Sequence, residues 1–139
     1  MVFFDSNVLV YIAINQDAAK KKVALQLVAS AIENQSGYIS IQVLREVANC
    51  LFKKSNDSIE HIRETLSGFD ALDCLGESWD SLDRAIEIKD EYGIQFYDAL
   101  IVAAAEAAGC ETLYSEDMGD GQIYSGIRVV NPFKTGFIA

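Results

Sequence analysis

The fold is decided near the start of the chain, by the stretch Val2-Phe3-Phe4-Asp5-Ser6-Asn7-Val8-Leu9-Val10. Its first three residues are apolar and predict a short buried strand, and the polar residues at 5–7 supply a turn at the carboxyl end of that strand. The apolar residues that follow predict a short helix over 8–14. This order places Asp5 where open α/β sheets usually bind their ligands.

The same alternation of strand and helix continues through the chain. We predict four further strands, at residues 38–41, 71–75, 112–115 and 127–130. Apolar residues that recur every three or four positions predict helices over 18–34, 43–54, 58–68, 78–92 and 99–108. Residues 118–126 are predicted to be a glycine-rich loop. The pattern predicts one α/β domain over residues 1–139, with a central parallel sheet of about five strands and helices on both faces.

Composition limits the class of protein. Of the 139 residues 50% are hydrophobic and 23% are charged, which is typical of a globular domain. Cys50, Cys74 and Cys110 are widely spaced, so neither a disulfide framework nor a thiolate zinc site is predicted. No apolar run approaches the ~20 residues of a membrane-spanning helix, and the first residues do not resemble a signal peptide. We therefore predict a cytoplasmic protein with no membrane contact.

Four acidic residues stand near the carboxyl ends of predicted strands: Asp5, Glu46, Asp98 and Asp117. Asp5 ends the first strand and Asp117 follows the fourth. Glu46 lies in the first turns of the helix after the second strand, and Asp98 begins the apolar helix that leads to the fourth. Each of them alone also fits a turn residue, a helix cap or an exposed side chain. Together they favour a site, because in a parallel sheet all four would lie at one edge.

Crowded carboxylates repel one another, and a divalent cation relieves that repulsion. The only histidine, His61, lies in a polar segment and is predicted to be exposed. Oxygen ligands alone favour Mg²⁺, with Mn²⁺ as a substitute, over Zn²⁺. Such ions support hydrolysis of phosphodiester bonds. The net charge of −10 opposes binding of nucleic acid, whose phosphates usually contact Lys and Arg, and the basic runs at 20–22 and 53–54 are predicted to be exposed helix faces.

Several segments resemble motifs of the PIN-domain family. The segment from Asp5 to Tyr11 is similar to the opening D-x-N-V-L-V-Y of that family, and Leu44–Val47 resembles the segment that carries its second acid. Phe96–Ile101 resembles the motif of the third acid, Y-x-D-A-L-I, and Leu113–Met118 that of the fourth. Asn131-Pro132-Phe133 resembles the terminal N-P-F of many members. The similarity runs in order from residue 2 to residue 133.

The subgroup that the chain resembles most is the VapC-like toxins. This resemblance implies a PIN-like fold and an Mg²⁺-dependent endoribonuclease that is the toxin of a toxin–antitoxin pair. It also implies an RNA substrate, a homodimer and a small antitoxin protein that occupies the active-site groove.

The resemblance also implies roles for individual residues. Asp5 and Asp98 would be the principal metal ligands, Glu46 a direct or water-mediated ligand, and Asp117 a fourth acid able to hold a second ion. Asn7 and Ser115 would donate hydrogen bonds that orient these carboxylates. Glu116, which precedes Asp117, is an alternative ligand.

Three other functions fit the sequence less well. A non-catalytic PIN-like module that binds RNA or protein would gain nothing from a repulsive acidic cluster. A phosphatase that uses Asp5 as its nucleophile would carry D-x-D, whereas Asn7 stands at the third position. A receiver-like signalling domain would need an acidic pair after the first strand and a lysine at the end of a later one, and neither is present.

Overall fold

Two helices follow each of the first three strands, and the last three strands are consecutive, in the structure, a computed structural model that describes residues 1–134 and residue 137. Within these residues the strands are β1 (Val2–Phe4), β2 (Gly37–Ser40), β3 (Asp73–Leu75), β4 (Thr112–Tyr114), β5 (Ile123–Tyr124) and β6 (Ile127–Val130). The helices are α1 (Ser6–Ala13), α2 (Ala18–Glu33), α3 (Ile41–Lys54), α4 (Ile59–Ser67), α5 (Trp79–Tyr92) and α6 (Phe96–Ala107). None of these helices is long and apolar enough to cross a membrane.

The six strands form one sheet in the order β3-β2-β1-β4-β6-β5. The pairs that join β3, β2, β1, β4 and β6 are all parallel, and only β5 runs antiparallel to its neighbour. The predicted α/β class and the central parallel sheet of about five strands are therefore confirmed. Since β1 and β4 are adjacent and parallel, the residues that follow them emerge side by side at the carboxyl edge.

The prediction of a loop over residues 118–126 is wrong in one part, because this segment contains β5. Ser125 and Gly126 both have positive φ, at 53° and 79°, as in the two-residue turns that match the twist of a β-hairpin. Tyr124 and Ile127 pair across this turn. Arg84 of α5 fixes the turn, since its Nη2 donates to Ser125 Oγ at 2.9 Å. The Ser-Gly pair between apolar residues was the hairpin signal.

The core lies between the sheet and its helices. Phe3, Phe4, Ile39 and Leu113 from the strands are fully buried, and so are several residues of α1 and α6. At Gly37 a Cβ atom would lie 2.6 Å from the Leu72 side chain, so only glycine allows β2 to approach this layer. The apolar helix predicted over 99–108 is confirmed, with buried residues on most of its circumference.

Helices α1, α3 and α6 begin two or three residues earlier than predicted, and in α3 and α6 this changes the helical position of the predicted acid. Helix α3 begins at Ile41, because Ser40 caps it and its Oγ accepts from Val43 N at 3.4 Å. Helix α6 begins at Phe96 with Gln95 as its cap. Asp98 is therefore the third residue of α6 and not its N-cap.

Candidate active site

Two neighbouring strands bring the first two parts of the site together. Asp5 follows β1 and caps α1 through a hydrogen bond that its Oδ1 accepts from Ser6 N at 2.7 Å. Ser115 follows β4 on the adjacent strand, and its Oγ donates to Asp5 Oδ2 at 2.8 Å. Asp5 is 6% exposed and Ser115 is fully buried. The parallel pairing of β1 and β4 thus places a buried carboxylate against a buried hydroxyl.

Asn7 connects this pair to the loop after β4. Its Nδ2 lies 3.4 Å from Asp5 Oδ2, 3.4 Å from Ser115 Oγ and 3.3 Å from Asp117 Oδ2. Its Oδ1 accepts from the backbone N–H of Glu116 at 3.0 Å. One amide side chain therefore bridges two of the four predicted acids.

Glu46 reaches the same edge from the second turn of α3. Its Oε2 accepts from Ser6 Oγ at 2.6 Å, and its Oε1 accepts from Gln42 Nε2 at 3.0 Å. Gln42 also donates to the backbone carbonyl of Tyr97, at 3.2 Å. Neither Ser6 nor Gln42 was among the residues predicted for the site. The available signal was helical spacing, since Gln42 precedes Glu46 by one turn on α3.

Asp98, the remaining predicted acid, interacts with the other three through their charges. Burial raises the pKa of Asp98, and the charges of Asp117 and Glu46 raise it further. Burial is the main cause that raises the pKa of Asp5, to about 6. The hydrogen bonds from Ser115 and Ser6 lower this pKa, whereas the charges of Glu46 and Asp98 raise it further. The four predicted acids thus lie close enough to repel one another, as a shared edge requires.

Glu116 is directed away from this network. Its Oε1 accepts from Tyr11 Oη at 2.6 Å, and its Oε2 forms an ion pair with Lys20 Nζ at 2.6 Å. Lys20 Nζ also lies 5.0 Å from the centre of the Tyr11 ring. Glu116 is therefore engaged by Lys20, whose side chain is partly exposed, and Lys22 of the same basic run is exposed as predicted. His61 is exposed as predicted.

The donor chemistry of the site suits Mg²⁺, because every candidate ligand is an oxygen atom. None of the ion pairs among the described residues involves the four acids. As the side chains stand, however, no three acids, histidines or cysteines of the described chain are close enough to hold one ion. Binding of an ion would therefore require the carboxylates to draw together.

The chain is similar to known proteins both in sequence and in structure. The family model of the PIN domain matches residues 2–119. Among solved structures, a toxin–antitoxin complex from Klebsiella pneumoniae is similar with a TM-score of 0.71 and 23% identity, over 96% of this chain and 99% of that one. None of the curated protein sequences is significantly similar to the chain.

Two other structures show the same fold. VapBC2 from Rickettsia felis, bound to a DNA fragment from its promoter, has a TM-score of 0.68 and 20% identity over 93% of this chain and 97% of that one. VapC20 from Mycobacterium tuberculosis, a toxin that cleaves the sarcin-ricin loop, has a TM-score of 0.62 and 20% identity over 84% and 90%.

Proposed function

Because the chain belongs to the PIN-domain family, we propose that it is an Mg²⁺-dependent endoribonuclease, the toxin of a toxin–antitoxin pair. The observation that carries this proposal is the network at the carboxyl edge of the sheet, into which separate elements bring Asp5, Glu46, Asp98 and Asp117. The solved structures of toxins and toxin–antitoxin complexes with this fold support the same function.

The four acids have distinct tasks in this proposal. Asp5 and Asp98 would hold the ion directly, with Glu46 as a direct or water-mediated ligand and Asp117 available for a second ion. An Mg²⁺ ion held by these residues, or Mn²⁺ in its place, would activate water for attack on a phosphodiester and stabilise the departing oxygen.

The neighbouring polar groups set the positions of the acids. Ser115 Oγ holds one oxygen of Asp5, and Ser6 and Gln42 hold the two oxygens of Glu46. Donors of this kind restrict the rotation of carboxylates that would otherwise move apart by mutual repulsion.

A cleavage assay tests the catalytic proposal. Asp5→Asn and Asp98→Asn keep the shape of each side chain and remove one charge, so each is expected to lower single-turnover cleavage of RNA by a factor of about 100 or more in Mg²⁺. EDTA should abolish the activity of the wild type. The matched control is Asp90→Asn, which removes an exposed carboxylate of α5 and should leave the rate unchanged. Full activity in either site variant would remove that residue from the site.

A non-catalytic PIN-like module remains the second candidate, and the spread of the acidic side chains favours it. Such a module would bind RNA or protein equally well in Mg²⁺ and EDTA, and purified wild-type protein would release no cut RNA under either condition.

We also propose that the protein forms a homodimer, acts in the cytoplasm and is inhibited by a small antitoxin. The net charge of −10 favours an antitoxin with a basic segment, whose Arg or Lys would pair with Asp98 or Asp117 in place of the metal. A purified antitoxin should then bind metal-free protein more tightly than Mn²⁺-loaded protein. Equal affinity for the two forms would contradict this mode of inhibition.

A further inference from the structure

A groove leads away from the acids along the carboxyl edge of the sheet, and we call it the side groove. Its inner part is a crevice of about 230 Å³ whose lining includes Gln42, Gly76 and Leu100. Its outer part is a depression of about 430 Å³, lined by Glu77, Ser78, Trp79, Ser81, Leu82 and Leu100. The two parts are continuous, because they share four of these residues.

The inner end of the side groove joins the acid network. Gln42, which lines the crevice, donates from Nε2 to both Glu46 Oε1 and the carbonyl of Tyr97. Tyr97 precedes Asp98 on α6. Leu100 lies one turn after Tyr97, so the two side chains share a face of that helix. Tyr97 therefore lies beside the inner end of the groove through its contact with Gln42, and a chain that leaves the acids along this groove would reach Trp79 in the outer part.

Two large aromatic side chains in this region are left in solvent. Trp79 is 85% exposed and Tyr97 is 68% exposed, although their rings would contribute strongly to a core. Trp79 is also held on a fixed helix start, since Ser81 N donates to Ser78 Oγ at 3.1 Å and Ser78 N to Ser81 Oγ at 2.9 Å. An exposed ring on a rigid backbone is a surface on which another planar group can stack.

A cation stands at the rim of the side groove. Arg45, next to Glu46 in sequence, forms an ion pair with Glu77, and more than half of each side chain is exposed. Exposed pairs of this kind contribute little to stability, so Arg45 can exchange the carboxylate for a phosphate, which its planar guanidinium binds well.

We propose that the side groove binds single-stranded RNA beside the bond that is cut, with bases stacked on Trp79 and Tyr97 and a phosphate bound by Arg45. Every base has a face that stacks on an aromatic ring, whereas a duplex hides these faces from the protein. The lining is largely apolar, and a guanidinium stands at its rim. This combination suits a strand that presents the faces of its bases together with its phosphates. Only the position of the cut bond depends on the proposed ribonuclease function.

The test uses the intrinsic fluorescence of the protein, because Trp79 is its single tryptophan. A pool of 20-nucleotide single-stranded RNA of random sequence is titrated into the wild type, with Ca²⁺ in place of Mg²⁺ and again in EDTA. Stacking should quench the fluorescence, and a duplex of the same length should quench it far less. With Mg²⁺, Trp79→Ala should raise the KM for cleavage of the pool about ten-fold with kcat little changed, from the strength of base stacking. Trp79→Phe, which keeps an aromatic ring, should have a KM close to that of the wild type.

The control is Phe52→Ala, which removes another exposed ring, at 63% exposure, from the last turn of α3. It should leave KM unchanged. Cleavage with no quenching and an unaltered KM in Trp79→Ala would overturn the stacking proposal and leave the ribonuclease function standing. Quenching by single-stranded RNA without any cleavage would support the stacking proposal and contradict the ribonuclease function. Fluorescence that changes with protein concentration alone, together with a dimer weakened by Trp79→Ala, would show that a second copy covers the groove and would also overturn the proposal.

Discussion

Asp5 should make the metal-free protein less stable as pH rises. This carboxyl group is buried, and its pKa is raised from 3.8 to about 6 by burial and by the charges of Glu46 and Asp98. Because the pKa of Asp5 is higher in the folded than in the unfolded protein, proton binding at this group favours folding. This stabilisation is complete below pH 3.8 and is lost as pH rises through 6. A pKa difference of about 2 between the folded and unfolded states corresponds to about 3 kcal/mol between the two limits of pH.

The perturbation is Asp5→Asn, which removes this titration. The amide cannot accept at both of its polar atoms, so the hydrogen bonds from Ser6 and Ser115 are weakened by about 1 kcal/mol at every pH. The informative quantity is therefore how the difference in free energy of unfolding, wild type minus variant, changes with pH. It should fall by about 2–3 kcal/mol between pH 4 and pH 8.

Urea unfolding in EDTA at half-unit steps of pH measures this difference, with Asp90→Asn as the control for loss of one carboxylate. Saturating Mn²⁺ should oppose the trend, because an ion that binds the charged carboxylates stabilises the folded protein by mass action. A difference that stays constant from pH 4 to pH 8 would mean that Asp5 is not buried among repelling charges, and the account of the site would fail.

Three further predictions concern other parts of the chain. Asp98→Asn relieves repulsion, so the metal-free variant should melt about 2–5 °C above wild type yet gain less from Mn²⁺; a lower melting temperature with an unchanged metal response would refute this. Glu116→Gln should leave the Mn²⁺-induced rise in melting temperature intact and Asp117→Asn should reduce it, and equal responses in thermal melts would contradict that assignment. Gly37→Ala should cost about 1–3 kcal/mol in urea unfolding through its contact with Leu72, whereas a loss below 0.5 kcal/mol, about the effect of an ordinary surface substitution, would show that the layer adjusts.

Most of the fold could be predicted because hydrophobic periodicity records which side each element buries. The strand at Phe3 and the buried helix after Asp98 follow directly from their apolar runs. Strand β5 escaped prediction, since two residues cannot display a period, and its existence depends on pairing with β6 and on the contact from Arg84. Short edge strands of this kind are determined by tertiary contacts.

The sequence allows prediction of which acids lie at the carboxyl edge of the sheet. It is less informative about the side chains that form hydrogen bonds or ion pairs with them. A parallel sheet fixes where Asp5 and Ser115 emerge, so strand order alone brings them together. The sequence does not show that Glu116 turns to Lys20, because residues 116 and 117 are adjacent and both acidic, and only the packing of α2 decides which of them meets a lysine. The same applies to Ser6 and Gln42, whose hydrogen bonds to Glu46 depend on where α3 begins.

The cations near the site pair with acids outside the central network. Lys20 and Arg45 both lie close to it in space or sequence, yet Lys20 pairs with Glu116 and Arg45 with Glu77. None of the ion pairs among the described residues involves the acids of the central network, so these acids keep their mutual repulsion. A lysine within that network would stabilise the metal-free protein and compete with any divalent ion for the same oxygens. The pairing of the outer acids is thus what leaves the inner ones available to a metal.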